Sequence, residues 1–118
     1  MTIKEAEKFT GLSRSNIRFY EKEGLIAPVR TEGNGYRDYS EDDIENIKKI
    51  ACLRTLGISV ESIRDIMSGE ISLYKALEEQ SEKLDREIKA FGRARTVCEK
   101  MRKTENISFE KMANMTRK

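Results

Sequence analysis

The sequence predicts a mainly helical fold in which a small head, built of short helices and one β-hairpin, precedes a long dimerising coiled-coil helix. Three observations predict it. Two short helical segments flank the turn Thr10-Gly11-Leu12. The pair Asn34-Gly35 separates a β-branched segment from an aromatic one. A seven-residue apolar repeat runs through 72–103, a stretch with no Pro and Gly92 as its one Gly.

Taken in order, Thr2-Ile3-Lys4-Glu5 fits a capping box, in which a Thr hydroxyl and a Glu carboxylate satisfy orphan amides at a helix start. A first helix should follow and end near Phe9. Ser13 then caps a second helix that carries Ile17 and Tyr20 and stops at Gly24. Two short helices around a three-residue turn make a helix-turn-helix, placed at about 2–22. Beyond it, Asn34-Gly35 signals a hairpin, because both residues tolerate positive φ. Its strands are very short, so this wing, at about 28–39, must lean on the helices beside it. Ser40-Glu41-Asp42-Asp43 opens a third helix with acids that complement the helix dipole. Ile44, Ile47, Ile50, Ala51 and Leu53 give that helix an apolar stripe. Ser59 caps a fourth, in which Val60, Ile63 and Met67 recur at helical spacing until Gly69. The head, a winged helix-turn-helix, therefore spans 1–70.

From 71 to 103 charge dominates every face but one. Leu77, Leu84, Phe91 and Cys98 fall at seven-residue intervals, and Leu73 and Ile88 add the complementary spacings. Such a narrow stripe is a coiled-coil seam and not the face of a globular core. A helix of thirty-odd residues spans roughly 48 Å, far more than a head of this size can cover. A second chain is expected to bury the seam. The remainder, 104–118, is expected to be a short tail, with Ile107, Phe109, Met112 and Met115 at weakly amphipathic spacing.

Composition narrows the function. At 118 residues the chain builds one compact domain and an appendage. Apolar and charged residues each make up 37%, and 23 bases nearly balance 21 acids, so a nucleic-acid footprint has to be local. With no His, imidazole is unavailable as base or metal ligand, and Cys52 and Cys98 form no CxxC pair. No acid-base or nucleophile constellation emerges, so an enzyme is not expected, nor a cofactor or bound metal. No apolar run approaches membrane-spanning length, and the N-terminal residues lack the apolar core of a secretory signal, which points to the cytoplasm.

One constellation suits DNA. Arg14, Arg18 and Lys22 recur at four-residue spacing on the second helix, with Ser15, Asn16 and Tyr20 nearby. Phosphate contacts would position this helix, and side chains near its start would reach base edges in a major groove. The same pattern also fits a solvated face with Glu21 and Glu23 as ion-pair partners. The wing adds Arg30, Tyr36, Arg37 and Tyr39, cations and hydrogen-bonding aromatics suited to sugar and phosphate. Tyr36 and Tyr39 alternatively pack the hairpin on the head, and both roles can coexist.

Asn16-Ile17-Arg18-Phe19-Tyr20-Glu21-Lys22-Glu23-Gly24-Leu25-Ile26-Ala27-Pro28 resembles the recognition helix and its exit in the MerR family of transcription regulators. Gly35-Tyr36-Arg37-Asp38-Tyr39-Ser40 resembles that family's first wing, and Leu56-Gly57-Ile58-Ser59 its next helix start. The likeness is close over 1–70 and generic beyond. It implies a homodimer whose long helices pair antiparallel on a palindromic promoter element, with RNA polymerase bound to the same promoter. The resemblance also implies control by DNA distortion, since family members act on over-long promoter spacers. Relatives that sense metals carry Cys at the start of the long helix and beyond its end. Here the start reads Ser72-Leu73-Tyr74 and no Cys follows Lys103, so the effector stays open. Cys98 is expected to be a small buried hydrophobe of the seam, with a sensor thiol or metal ligand as the alternative, and Cys52 is expected in the core. A coiled-coil interaction module that does not itself regulate transcription is the other alternative.

Overall fold

The computed structural model describes residues 1–116, which form two compact units, Met1–Leu77 and the part of the chain from Glu78 on. Six helices and one hairpin follow in order: α1 Ile3–Thr10, α2 Arg14–Lys22, β1 Val29–Arg30, β2 Arg37–Asp38, α3 Glu41–Thr55, α4 Val60–Ser68, α5 Leu73–Lys103 and α6 Phe109–Thr116.

Each helix of the head begins where a short polar side chain can take up an orphan amide. Thr2 and Glu5 form the capping box of α1, with Glu5 N to Thr2 Oγ1 at 3.2 Å and Thr2 N to Glu5 Oε1 at 3.1 Å. Ser13 accepts from Asn16 N at 3.2 Å, Ser59 from Ser62 N at 3.1 Å, and Ser40 makes a second capping box with Asp43. Gly11 and Gly69, at φ 74° and 84°, end α1 and α4 in the left-handed conformation that closes helix C-termini.

The wing is a two-stranded antiparallel ladder with Val29 opposite Asp38 and Arg30 opposite Arg37. Its loop departs from the positive φ that the Asn34-Gly35 signal suggests for both residues. Gly33 and Gly35 take positive φ, whereas Asn34 does not. Asn34 closes the loop through its side chain, whose Oδ1 accepts from Tyr36 N at 2.9 Å and from Thr31 Oγ1 at 2.7 Å. The hairpin is anchored where Tyr39 N donates to the Met1 carbonyl at 2.8 Å and the Met1 nitrogen donates to the Tyr39 carbonyl at 2.7 Å. This pairing brings the first turn of α1 beside the wing.

The core of the head gathers Ala6 from α1, Ile17 and Tyr20 from α2, Leu25 and Ile26 from the link, Tyr39 from the end of the wing, and Ile44, Ile47, Ile50 and Leu53 from α3, closed by Ile58 and Ile63. Cys52, expected in this core, is exposed instead. It lies two residues, or roughly 200°, around α3 from buried Ile50, which turns it to the opposite face.

In the second unit the expected tail contains α6, and residues 117 and 118 lie outside the described residues. Met112, Met115 and Thr116 of α6 share a cavity of about 520 Å³ with Arg93, Ala94, Val97, Cys98 and Met101 of α5. No helix of the described residues is long and apolar enough to cross a membrane.

Candidate nucleic-acid interface

The DNA-directed residues of the sequence separate into three groups in the structure. Arg14, Arg18, Tyr36 and Arg37 converge on one open groove of about 450 Å³, whose remaining wall is Thr2, Ile3 and Lys4. It thus draws on the first turn of α1, the first half of α2 and the second strand of the wing, and four cations line it. Lys4 is the addition that local sequence patterns miss, since it arrives through the main-chain pairing of Met1 with Tyr39. Ser15, Asn16, Lys22 and Arg30 are exposed but lie outside this groove.

Two expected DNA contacts are corrected. Tyr20 is 7% exposed and Tyr39 0%, and both belong to the core. Tyr20 follows Ile17 by three residues on α2 and so shares its buried face. Tyr39 falls two residues after half-buried Arg37, on the inward side of the strand, while Tyr36 points out at 74% exposure. The Tyr39 hydroxyl has no hydrogen-bond partner among the described residues, and burial pushes its pKa above the ordinary value near 10.

Carboxylates set the posture of the cations. Glu7 of α1 receives Arg14 three times, from the main-chain N at 3.1 Å, from Nε at 3.2 Å and from an Nη at 3.0 Å. Glu21, in the last turn of α2, accepts from Arg37 Nε at 2.6 Å, and its other oxygen lies 4.0 Å from an Nη of Arg30. That contact with Glu21 is what holds the Arg37 guanidinium above its ordinary pKa. Among the described residues no carboxylate pairs with Arg18 or Lys22. Arg64 of α4 bonds the Glu23 carbonyl at 2.6 Å, fixing the exit of α2 against the next helix pair. A cationic, solvent-exposed groove shared by a helix and a wing has the charge and the access that a polyanion's phosphates require.

The seam residues of α5 are all solvent-exposed in the single chain. Leu77 and Leu84 are each 38% exposed, Phe91 is 70%, and Leu73, Ile88 and Cys98 are also open.

A head with this helix-turn-helix, wing and cationic groove defines the class of winged helix-turn-helix proteins. Residues 1–70 match the family model of the MerR HTH family regulatory protein, and the chain belongs to that family. It is 43% identical over 63 residues to the HTH-type transcriptional regulator AdhR of Bacillus subtilis, a match covering 53% of this chain and 45% of that protein. The chain spans about half the length of the curated relatives it matches. Among solved structures it is similar to HiNmlR, a MerR family regulator lacking the sensor domain, bound to promoter DNA. That likeness has 26% identity and a TM-score of 0.59, over 86% of this chain and 82% of the other. The lead(II) complex of PbrR691 from Ralstonia metallidurans has the same fold at a TM-score of 0.78 and 22% identity, over 92% of this chain and 89% of that one.

Proposed function

We propose that the chain is a sequence-specific DNA-binding transcription regulator that acts in the cytoplasm as a homodimer on a palindromic promoter element. Control would come from distortion of the bound DNA in response to an effector, with RNA polymerase on the same promoter. The observation that carries the proposal is the groove itself, where Lys4, Arg14, Arg18 and Arg37 stand together across α1, α2 and the wing. HiNmlR, a similar regulator, was solved on promoter DNA.

The seam supports two chains in place of one. Six apolar or thiol side chains on α5 remain open to water along one face, which is costly for a lone helix and stabilising once paired. Charge along the same helix supports the antiparallel arrangement. Leu73–Glu87 holds five acids against three bases, and Ile88–Lys103 holds six bases against one acid. Antiparallel pairing sets the acidic half of each helix opposite the basic half of its partner, whereas parallel pairing sets like against like.

Selection of bound fragments from the source genome, followed by salt titration on a recovered fragment, tests the proposal. Three phosphate contacts per protomer, from Lys4, Arg18 and Arg37 with Arg14 left for a base edge, make six per dimer and give a log-log salt slope of about −5. A slope near zero, or recovery of random fragments alone, would remove DNA recognition from the reading, and light scattering that finds a monomer would remove the dimer.

A further inference from the structure

The hairpin presents an electrostatic problem. Arg30 and Arg37 stand directly opposite each other in a ladder only two residues long, and like charges so placed push the strands apart. A two-stranded hairpin of this length has little of its own stability to spend against that repulsion. Glu21 meets both cations, Arg37 at 2.6 Å and Arg30 at 4.0 Å, from a different element, the last turn of α2. The Glu21 and Arg37 side chains are 23% and 26% exposed, so their pair is partly withdrawn from solvent screening.

The geometry of the Arg37 bond is specific. Glu21 takes the Nε hydrogen, and Arg37 still lines the groove, so the donors on the two Nη atoms stay available to a second acceptor. A guanidinium held in that way is fixed in orientation before any ligand arrives. Arg18, one helical turn ahead of Glu21 on α2, lines the same groove.

We propose that Glu21 is a positioning residue for DNA binding: it ties the wing to α2 and sets Arg37 beside Arg18 as a pre-arranged pair of phosphate ligands. The inference rests on the DNA-binding reading above, and it makes a prediction opposite in sign to simple electrostatics. A carboxylate beside a DNA surface repels phosphate, so its removal should tighten binding if charge alone mattered. If Glu21 positions Arg37, its removal should weaken binding, because the guanidinium must then be ordered at the expense of affinity.

The test compares wild type, Glu21→Gln, Arg37→Ala, Arg37→Lys and Glu21→Gln in the Arg37→Ala background, each as the full chain, on a mixed-sequence DNA duplex over a range of salt. Glu21→Gln should bind about tenfold more weakly, the scale of exchanging a charge-assisted hydrogen bond for one to a neutral amide oxygen, with a shallower salt slope. Arg37→Lys, which keeps the charge and loses the Nε geometry, should show the same loss. In the Arg37→Ala background, Glu21→Gln should have no further weakening effect. Unchanged or tighter binding by Glu21→Gln overturns the inference, as does an equal loss in both backgrounds. In the DNA-free protein, the Arg37 Nε–H resonance should be sharp and slow to exchange in wild type and exchange faster in Glu21→Gln, whose neutral amide oxygen accepts more weakly, and its absence in wild type also overturns the inference. Wild-type protein that shows the protected resonance yet binds no duplex would instead remove the DNA-binding reading and leave the ion pair standing.

Discussion

Replacing Tyr39 by Phe should stabilise the head. The ring of Tyr39 is among the largest fully buried side chains, and its hydroxyl has no partner among the described residues. A hydroxyl taken from water into an apolar site without a hydrogen bond costs about 1–3 kcal/mol in protein mutational data. Phe keeps the ring and removes the oxygen, so the penalty is recovered less the few dispersion contacts that the oxygen makes, leaving a gain of about 1 kcal/mol. For a unit the size of Met1–Leu77 that shifts the unfolding midpoint upward by roughly 4–8 °C. Thermal unfolding by circular dichroism at fixed protein concentration measures it. Alkaline pH supplies an independent check. Burial raises the Tyr39 pKa in the folded state, so between the unfolded value near 10 and the higher folded one the native protein holds the proton that the unfolded chain releases. Stability is therefore fully present below about pH 10 and is lost as pH rises beyond it, and Tyr39→Phe should flatten that decline. DNA affinity should not change, since the side chain has no access to the surface. A destabilised variant, or an alkaline limb identical to that of wild type, would refute the buried, unpartnered hydroxyl.

On the seam, Leu84→Glu should yield a monomer by light scattering, since the paired site loses about 1.5–3 kcal/mol of Leu burial per chain and gains a charge facing its own copy. Cys98→Ala should weaken the dimer modestly and leave any inducer response intact; a dimeric, DNA-competent variant that lost the response would make the thiol a sensor. In the recognition helix, Arg14→Ala should change the preferred half-site by about 1–3 kcal/mol at one position, because the start of the second helix lies deepest in the groove. Arg37→Ala should weaken all sequences alike and reduce the salt slope by about 1 per protomer. Titrations of both variants on a panel of half-site substitutions distinguish the two signatures, and uniform losses for Arg14→Ala would move the base-reading role elsewhere on α2.

Most of the head was legible because its signals are local. A capping residue, a Gly beyond a helix end and an apolar recurrence each act within a few residues, and Thr2, Ser13, Ser40 and Ser59 all cap as their positions imply. One misplacement was avoidable on the same local grounds: Tyr20 stands three residues from Ile17, a period that puts its ring on the inward face despite its polar tip. Tyr39 was not, because the residue two before it on the same side of the strand is the cation Arg37, which marks no inward face. What remained hidden is carried by contacts between distant residues. Lys4 reaches the groove because the main chain of Met1 pairs with Tyr39, and Arg37 is oriented by Glu21 sixteen residues before it. Neither partner is marked by spacing, since a carboxylate on a polar helix face looks the same whether it meets water or a wing.

The carboxylates also explain why a chain of nearly balanced charge suits a polyanion. Glu7 and Glu21 each neutralise a cation of the groove in the free protein, and each does so through a directed hydrogen bond. Their cost differs on DNA binding. Arg14 gives both its Nε and an Nη to one oxygen of Glu7 and must release it to reach a base, whereas Arg37 gives Glu21 its Nε and can meet phosphate with its Nη donors. On the proposed reading, non-specific contact through Arg18 and Arg37 would then be available at once, while Arg14 would leave Glu7 only where a base edge accepts from both donors. Specificity would arise from that unequal exchange: the wrong base leaves Arg14 on Glu7, and the right one recruits it. Glu7→Gln should accordingly tighten binding to mixed-sequence DNA more than to the selected site and narrow the ratio between them. A ratio unchanged or widened in parallel titrations would show that Glu7 holds Arg14 for structural reasons alone.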